Sequence, residues 1–488
     1  MDGLWLGLDV GTQGTKGVLV DLGAGRIVAR AAQSYDLITG LAQGAAEQHP
    51  NTWWSAVVAV TRALVASDDV DASRIRGLGV SGQQHGFVPL DSAGEVIRAA
   101  KLWCDLETVP EARDLSERLG RQIPAGFTAS KILWLKEHEP ENFARLAAFA
   151  LPHDWINLKL TGRLAMEAGD ASGTGLFDPR TRAFSKVDAA AIDPKVADML
   201  PELVAADEVL GELTPAAADE LGLPAGVLVS PGGGDNMMSA IGSGATESGV
   251  VICSLGTSGT VFAYAESPVV DPEGVIAPFC DSTGAWLPLL CVMNLTGVAE
   301  ELSRAFGMDH GALTEAARAV EAGAGGALFL PYLSGERTPD LPEATGTLLG
   351  LRPGSLAPGV LYRAALEGTS ANLAWGIDRL RDLGVAVDGV RVVGGGSKNA
   401  LWCEILAASF GVPVQRLAEP ESGALGAALQ AAWVVARKDD PRADLTSMGV
   451  DLVRTDGPPI EPDPALVAAY ADLGQRFRAA VGHTYGQS

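Results

Sequence analysis

At 488 residues with a formal net charge of −24, the chain is too long for one hydrophobic core, and it repels nucleic acid and anionic membrane over most of its surface. A hydrophobic content of 47% against 20% charged residues excludes a disordered chain. Five cysteines without paired or metal-ligand spacing point to reduced thiols rather than a disulfide framework.

The first apolar run, residues 4–10, has no basic or apolar leader before it, so no secretory signal is expected. No apolar run approaches the length of about 20 residues that spans a bilayer. The nearest, residues 424–436, is broken by Gln430 and reads as a buried helix. A soluble cytoplasmic protein with no membrane partner is expected.

In chain order, strands are expected at residues 4–10, 16–21 and 26–32. A tight hairpin, Gly11-Thr12-Gln13-Gly14-Thr15, joins the first two. A helix follows over residues 51–66, with Asn51 as its cap. Residues 75–80 form a buried strand that ends in Ser81-Gly82-Gln83-Gln84-His85-Gly86. Another apolar run, 227–229, leads into Pro231-Gly232-Gly233-Gly234-Asp235-Asn236, and the small polar stretch 242–249 marks a domain boundary. The two domains are expected to be 1–245 and 246–488.

Half a chain further on, the hairpin recurs as Gly256-Thr257-Ser258-Gly259-Thr260, again between apolar runs. The second half then carries a long helix over 358–383, a strand at 389–393, Gly394-Gly395-Gly396-Ser397-Lys398-Asn399 opening a helix to 410, a short strand at 413–416 and a helix over 423–436. Residues 438–464 read as a surface loop. Strands, helix and strand built twice around glycine/threonine hairpins predict an α/β fold of two ribonuclease H-like (actin-like ATPase) domains with a cleft between them.

Such hairpins present backbone N–H groups and small hydroxyls with no bulky Cβ to hold an anion away, the chemistry a phosphate chain needs. Asp9 precedes the first hairpin where Ser254 precedes the second. A carboxylate there positions Mg²⁺ and a hydroxyl does not, so the first half is the expected metal side. In the Gly232–Gly234 stretch, three glycines leave room for a substrate and aim Asp235 into it, either as a base for an attacking hydroxyl or as a helix cap. Gln84 and His85 offer neutral polar groups suited to a polyhydroxyl ligand, and Trp103 with Asp105 offers an aromatic platform and an acceptor. Gly395, Gly396 and Asn399 sit where adenine or ribose could lie on the backbone.

The chain resembles the FGGY carbohydrate kinases, and within them the xylulokinases. The resemblance rests on motifs in family order: LDVGTQGTKG at Leu8, EQHPNTWW at Glu47, SGQQHG at Ser81, LWCD at Leu102, GFTASKILWLKEHEP at Gly126, PGGGDN at Pro231, SLGTSGTV at Ser254, LPYLSGERTP at Leu330, GGGSKNALW at Gly394 and ESGALGAA at Glu421. It implies a kinase that closes over ATP, Mg²⁺ and a sugar, most simply D-xylulose, with ribulose or xylitol as alternatives and a homodimer as a possible assembly. Asp235 is then the catalytic base, Gln84 and His85 contact the sugar, and Asp9 with Asp235 forms the metal environment. Gly11, Thr12, Gln13, Thr15 and Lys16, with Gly256, Thr257 and Ser258, form the phosphate hairpins, and Gly395, Gly396 and Asn399 are adenosine contacts. Gln84 stands where many bacterial xylulokinases carry Met, and Cys104 where Asn is common. A filament-forming actin-like protein would share the hairpins but not the polar strand end at Gln84 and His85.

Overall fold

In a computed structural model, which describes residues 3–486, the first apolar run forms strand β1 (Leu4–Val10), buried throughout except at Asp9. A strand covered on both faces requires a layer on each side. β1 turns back antiparallel into β2 (Gly14–Asp21), which pairs with β3 (Arg26–Ser34); on its other edge β1 runs parallel to β4 (Ile75–Gly82). β5 (Gly211–Glu212), β6 (Leu228–Val229) and β7 (Gly233–Gly234) complete the sheet, in the order β5-β6-β4-β1-β2-β3 with β7 alongside the end of β4. Helix α1 (Pro50–Val65) covers one face, its Trp53, Val57 and Val60 packing with Leu6, Leu8 and Val10. The helix begins one residue earlier than expected. Its cap is His49, whose Nδ1 accepts the Asn51 N–H at 3.2 Å, because Pro50 has no N–H to offer and suits the first helical position.

β7 runs directly into α2 (Asp235–Gly242), after which the plan repeats. β8 (Gly249–Leu255), β9 (Gly259–Ala263), β10 (Ala277–Cys280), β11 (Trp286–Val292), β12 (Val387–Val393) and β13 (Val414–Arg416) form a sheet in the order β10-β11-β9-β8-β12-β13. The β8/β9 hairpin is antiparallel and β12 lies parallel to β8, as β1, β2 and β4 are arranged in the first sheet. α3 (Pro358–Asp382) and α4 (Ala400–Phe410) close the outer face of this sheet. α5 (Ser422–Asp439) follows the last strand. The expected loop at 438–464 is only partly a loop: it holds a short helix, Leu445–Gly449, and buries Leu445 and Leu452. A final helix, α6 (Pro464–Tyr485), packs through Tyr470, Leu473, Phe477 and Val481, a helical spacing present in the sequence but not in the expected elements. Among the described residues no helix is long and apolar enough to cross a membrane.

The two sheets are joined through α2 and α5, which pack on each other between them. α5 comes from the second half of the chain yet lies against β1 and β4 of the first sheet. Its core partners are Trp5, Val18 and Val20 from the first sheet and Ile252 and Phe262 from the second. The contact is made backbone to backbone. A Cβ on Gly7 would lie 1.8 Å from the carbonyl oxygen of Ala424, on Gly79 2.1 Å from that of Ala427, on Gly242 1.9 Å from that of Ser422, and on Gly426 1.8 Å from that of Met238. At these four positions nothing flexible can move aside. Gly426→Ala is therefore expected to destabilise the protein by about 1–3 kcal/mol or more, the range of overpacked cores. By contrast Gly474→Ala, in α6 with nothing within 4 Å of a new Cβ, is expected to be neutral or stabilising by about 0.5–1 kcal/mol. Thermal and denaturant melts of the two variants measure both; equal stability of the two would contradict the packing argument.

Candidate active site

The strand ends of both sheets converge where α2 begins. Gly232 adopts φ +71°, which turns the chain so that Gly233 and Gly234 pair beside Ser81 and Gly82 of β4. Asp235 is then the first residue of α2, with Gly234 in the cap position; its Oδ1 accepts the Asn236 N–H at 2.8 Å and Asn236 Nδ2 at 3.1 Å, so the carboxylate steadies the first turn of α2 while it lines the cavity. The three glycines do not clear space for a substrate as the sequence suggested. A Cβ would lie 2.3 Å from the Val80 carbonyl oxygen at Gly232, 2.3 Å from Ser282 Oγ at Gly233 and 2.6 Å from Gln84 Cγ at Gly234. They allow the segment to press against β4, and that close approach carries Asp235 to the cavity. Gln430 on α5 fixes the turn: its Oε1 accepts the Gly232 N–H at 2.9 Å, and its Nε2 donates to the carbonyls of Gly232 and Ser282, each at 3.1 Å. The polar residue that interrupts the apolar run of α5 is thus fully paired.

A cavity of about 230 Å³ opens here. Gln84, His85, Trp103 and Asp235 line it from the first half of the chain, Ser254 and Ser258 from the second. Gln84 Oε1 accepts from Asn236 Nδ2 at 2.7 Å, and Asn236 Oδ1 accepts from Thr260 Oγ at 3.1 Å, a chain of bonds that crosses between the sheets. Gln84 Nε2 is buried and has no partner among the described residues. An unpaired buried donor on a cavity wall is costly unless a ligand oxygen takes it. His85 sits at φ +65° with its ring between Phe127 and Phe279, at centroid distances of 4.9 and 5.9 Å. Burial, and then the charges of Lys131 and Arg337, push its pKa well below the ordinary histidine value, so the ring is neutral at physiological pH. Trp103 Nε1 donates to Thr12 Oγ at 3.0 Å, and Thr12 Oγ donates to Gln83 Oε1 at 2.9 Å, which ties the first hairpin to the cavity wall.

Asp105 lies away from the cavity. Its carboxylate is fully buried and accepts from the Ala46 and Glu107 N–H groups and from Lys101 Nζ. It braces the loop that presents Trp103. Thr15 is also buried, its hydroxyl paired with Tyr35, whose own hydroxyl donates to the Gly11 carbonyl at 2.8 Å. Gln13 stands exposed at the hairpin tip, as does Thr257 in the second hairpin. Lys16 pairs with Glu421 at 2.9 Å, which anchors the start of α5 to β2. On the far side of the second hairpin, Gly395 is exposed with nothing within 4 Å of where a Cβ would be, whereas Gly396 is buried against Leu255 and Trp402. Asn399 caps α4, accepting the Trp402 N–H at 3.1 Å and donating to Thr314 Oγ at 3.0 Å, so both ends of its amide are occupied within the protein.

The electrostatics centre on two acids. Asp9 accepts from Ser81 Oγ at 2.6 Å and lies against Gly423, where a Cβ would come within 3.0 Å of its carboxylate. Burial raises its pKa. The Asp235 carboxyl is pushed up to about 8, by burial first and then by the charges of Asp9 and Asp170. Two buried carboxylates, the first of which raises the proton affinity of the second, form a donor set that a hard divalent cation such as Mg²⁺ relaxes. Behind Asp235, Asp170 accepts from His153 Nδ1 at 2.6 Å in a fully buried cluster with Asp154 and Glu167. Burial is the first cause that raises Glu167, to about 8, while the surrounding acids outweigh it at His153 and raise that group to about 9.

Sequence reasoning did not reach Phe127, Phe279, Asn236, Arg337 or Gln430. Phe127 and Arg337 lie in the motifs GFTASKILWLKEHEP and LPYLSGERTP, which do not say that they face the cavity, and Phe279 lies outside any motif. A lone amide inside an apolar helix was a visible signal for Gln430.

The description "FGGY family of carbohydrate kinases" fits the chain twice, as the N-terminal domain over residues 4–242 and the C-terminal domain over residues 251–435. A xylulose kinase from Haemophilus influenzae is 37% identical over 446 residues, 88% of this chain and 90% of that protein. The crystal structure of a xyloylose kinase from Brucella ovis superposes with a TM-score of 0.91 at 31% identity, covering 99% of this chain and all of that one. The xylulose kinase from Rhodospirillum rubrum does so with a TM-score of 0.87 at 29% identity and 99% of each chain. With both domain models matched in order and the cavity set between the two sheets, the chain belongs to the FGGY family of carbohydrate kinases and is a sugar kinase.

Proposed function

We propose that the protein transfers the γ-phosphoryl group of ATP to the terminal hydroxyl of D-xylulose, giving D-xylulose 5-phosphate, with Asp235 as the general base. The observation that carries this reading is a buried acid, its pKa raised to about 8, fixed at the junction of the two halves on the wall of a cavity whose other polar groups, Arg337 apart, are neutral. Such a group is ionised often enough to act and basic enough to take a proton from an alcohol. The names of the relatives supply the sugar; the cavity supports it through Gln84 Nε2, a donor for a sugar oxygen, and the uncharged His85.

Asp9 and Asp235 would hold Mg²⁺, which when bound supplies positive charge against the charge developing on the transferred phosphoryl group. The first hairpin beyond Gly11, whose own N–H is bonded to the Gly14 carbonyl, and the Gly256–Ser258 hairpin would present N–H groups to the phosphates, with the Trp103–Thr12 bond holding the first of them against the sugar site. Asp235 accepts the hydroxyl proton as the oxygen attacks. The cleft between the two hairpins excludes water, which would otherwise compete with the sugar as acceptor. In this reading the sugar and metal side is residues 1–245 and the nucleotide side 246–488, with α5 lent back to the first sheet. The same reading places the enzyme in the cytoplasm, in keeping with five unpaired cysteines, and self-association into a dimer is read by sedimentation of the purified chain.

Asp235→Asn is expected to lower kcat by about 10²–10⁴-fold, the contribution of a positioned base, with ADP affinity by calorimetry unchanged; wild-type turnover would remove Asp235 from the role. A raised pKa means that Asp235 is protonated below about 8 in the empty enzyme. With both substrates well below saturation, kcat/KM should therefore rise with pH towards a plateau above about 8; an acid limb near the ordinary carboxylate range would contradict the burial argument. Across a panel of D-xylulose, D-ribulose, xylitol and D-gluconate, kcat/KM should be highest for D-xylulose, and a different best substrate would replace it in this assignment.

A further inference from the structure

One element of the cavity wall has no part in the reaction as derived. Arg337 lines the cavity with Asp235 and His85 and comes from the loop after the strand Leu328–Leu330, in the second half of the chain. The backbone on both sides of Arg337 is held by buried side chains. Glu336 Oε1 accepts the N–H groups of Met293 at 2.6 Å and of Arg337 itself at 2.8 Å, and Glu336 Oε2 accepts from Asn294 Nδ2 at 3.1 Å. Asn294 also donates to the Gly335 carbonyl at 2.5 Å and accepts the Ser334 N–H at 3.2 Å, while Asn372 Nδ2 donates to the Thr338 carbonyl at 2.9 Å. Burying a carboxylate and two amides to brace one short loop is costly, and the residue so presented is exposed.

Among the described residues the Arg337 side chain forms no ion pair. Its surroundings are the Gly126 turn across the cavity, where a Cβ would lie 3.7 Å from Nη2, the Cys291 thiol, and His85 and Lys131, neither of which is an acid. Asp235 is the acid on the same wall, and the charges that dominate its environment are Asp9 and Asp170. A rigidly carried guanidinium that meets the Cys291 thiol and has further donors to spare, facing a cavity whose other polar groups apart from Asp235 are neutral, matches the oxygens of a polyhydroxyl ligand.

We infer that Arg337 is a substrate-contacting residue, donating hydrogen bonds to oxygens of the bound sugar, so that the second half of the chain takes part in sugar recognition and the pocket is complete only when both halves flank it. The inference rests on the sugar-kinase reading above. It separates two duties within the second half: the hairpin at Gly256–Ser258 serves the nucleotide, and the braced loop serves the sugar.

The test uses the full-length protein with Arg337→Met, which keeps length and removes the donors, and Arg337→Lys, which restores one charge without the planar fork. Loss of charged hydrogen bonds should raise the sugar Kd and KM of Arg337→Met by about 10–100-fold, with partial recovery in Arg337→Lys and ADP affinity unchanged. An unchanged sugar Kd in Arg337→Met, or a loss confined to nucleotide affinity, would overturn the inference. If Arg337→Met melts early, Arg337→Lys carries the comparison, since full wild-type sugar affinity with a lysine there is incompatible with bidentate contact. The wild-type panel is run in parallel. A best substrate other than D-xylulose overturns the choice of sugar, and the Arg337 variants are then scored on that substrate, so the two failures are distinguished.

Discussion

The architecture depends on a contact without side chains. Where α5 crosses β1 and β4, and where it crosses α2, glycines at positions 7, 79, 242 and 426 let main chain meet main chain at distances no Cβ would tolerate. Side-chain interfaces can repack by rotamer changes; a backbone interface has no such freedom. That contact fixes α2, and α2 starts at Asp235. It also fixes α5, whose first turn holds Gly423 against Asp9 and whose middle holds Gln430 against Gly232. The positions of both acids thus descend from one tightly packed junction rather than from the loops around them.

The charge pattern of the site follows from the same burial. Acids placed deep in a protein resist ionisation, and at Asp235 the charges of Asp9 and Asp170 add to the effect of burial. A molecule with net charge −24 that must admit a polyphosphate depends on local features to do so: hairpin N–H groups, a divalent cation between carboxylates, and Lys16 near Asp9. The sugar side is different in character, with a neutral imidazole between two phenyl rings and an amide whose nitrogen is unpaired.

Much of this was legible in the sequence, and the reasons differ from one feature to the next. The repeated hairpins and their flanking strands were visible because local glycine/threonine chemistry and short apolar runs encode them directly. The gathering of Gln84, His85, Trp103 and Asp235 on one cavity followed from strand ends in a fold of this type. The glycines before Asp235 were misread because their neighbours, Val80, Gln84 and Ser282, come from other strands and loops; spacing along the chain cannot reveal what a missing side chain makes room for. Asp105 and Thr15 sit in motifs beside the site, yet their side chains turn inward to brace it, and a linear pattern does not separate facing in from facing out on a loop. The helix at Pro464–Tyr485 was within reach of periodicity; Arg337 stood in the motif LPYLSGERTP, but its place on the cavity depends on a loop held by Glu336, Asn294 and Asn372, which the motif does not reveal.

The glycine-lined junction also limits how the cleft can move. Sliding of one sheet past the other needs a layer of side chains that can exchange partners, and the junction lacks one where the main chains touch. What remains is pivoting, with the axis running through the clasped helices. Displacement then grows with the lever arm from that axis: the carboxylates beside it keep their spacing throughout a swing, while the outer lips travel furthest. A cleft built in this way admits and releases its ligands at the rim without ever disassembling its chemical centre.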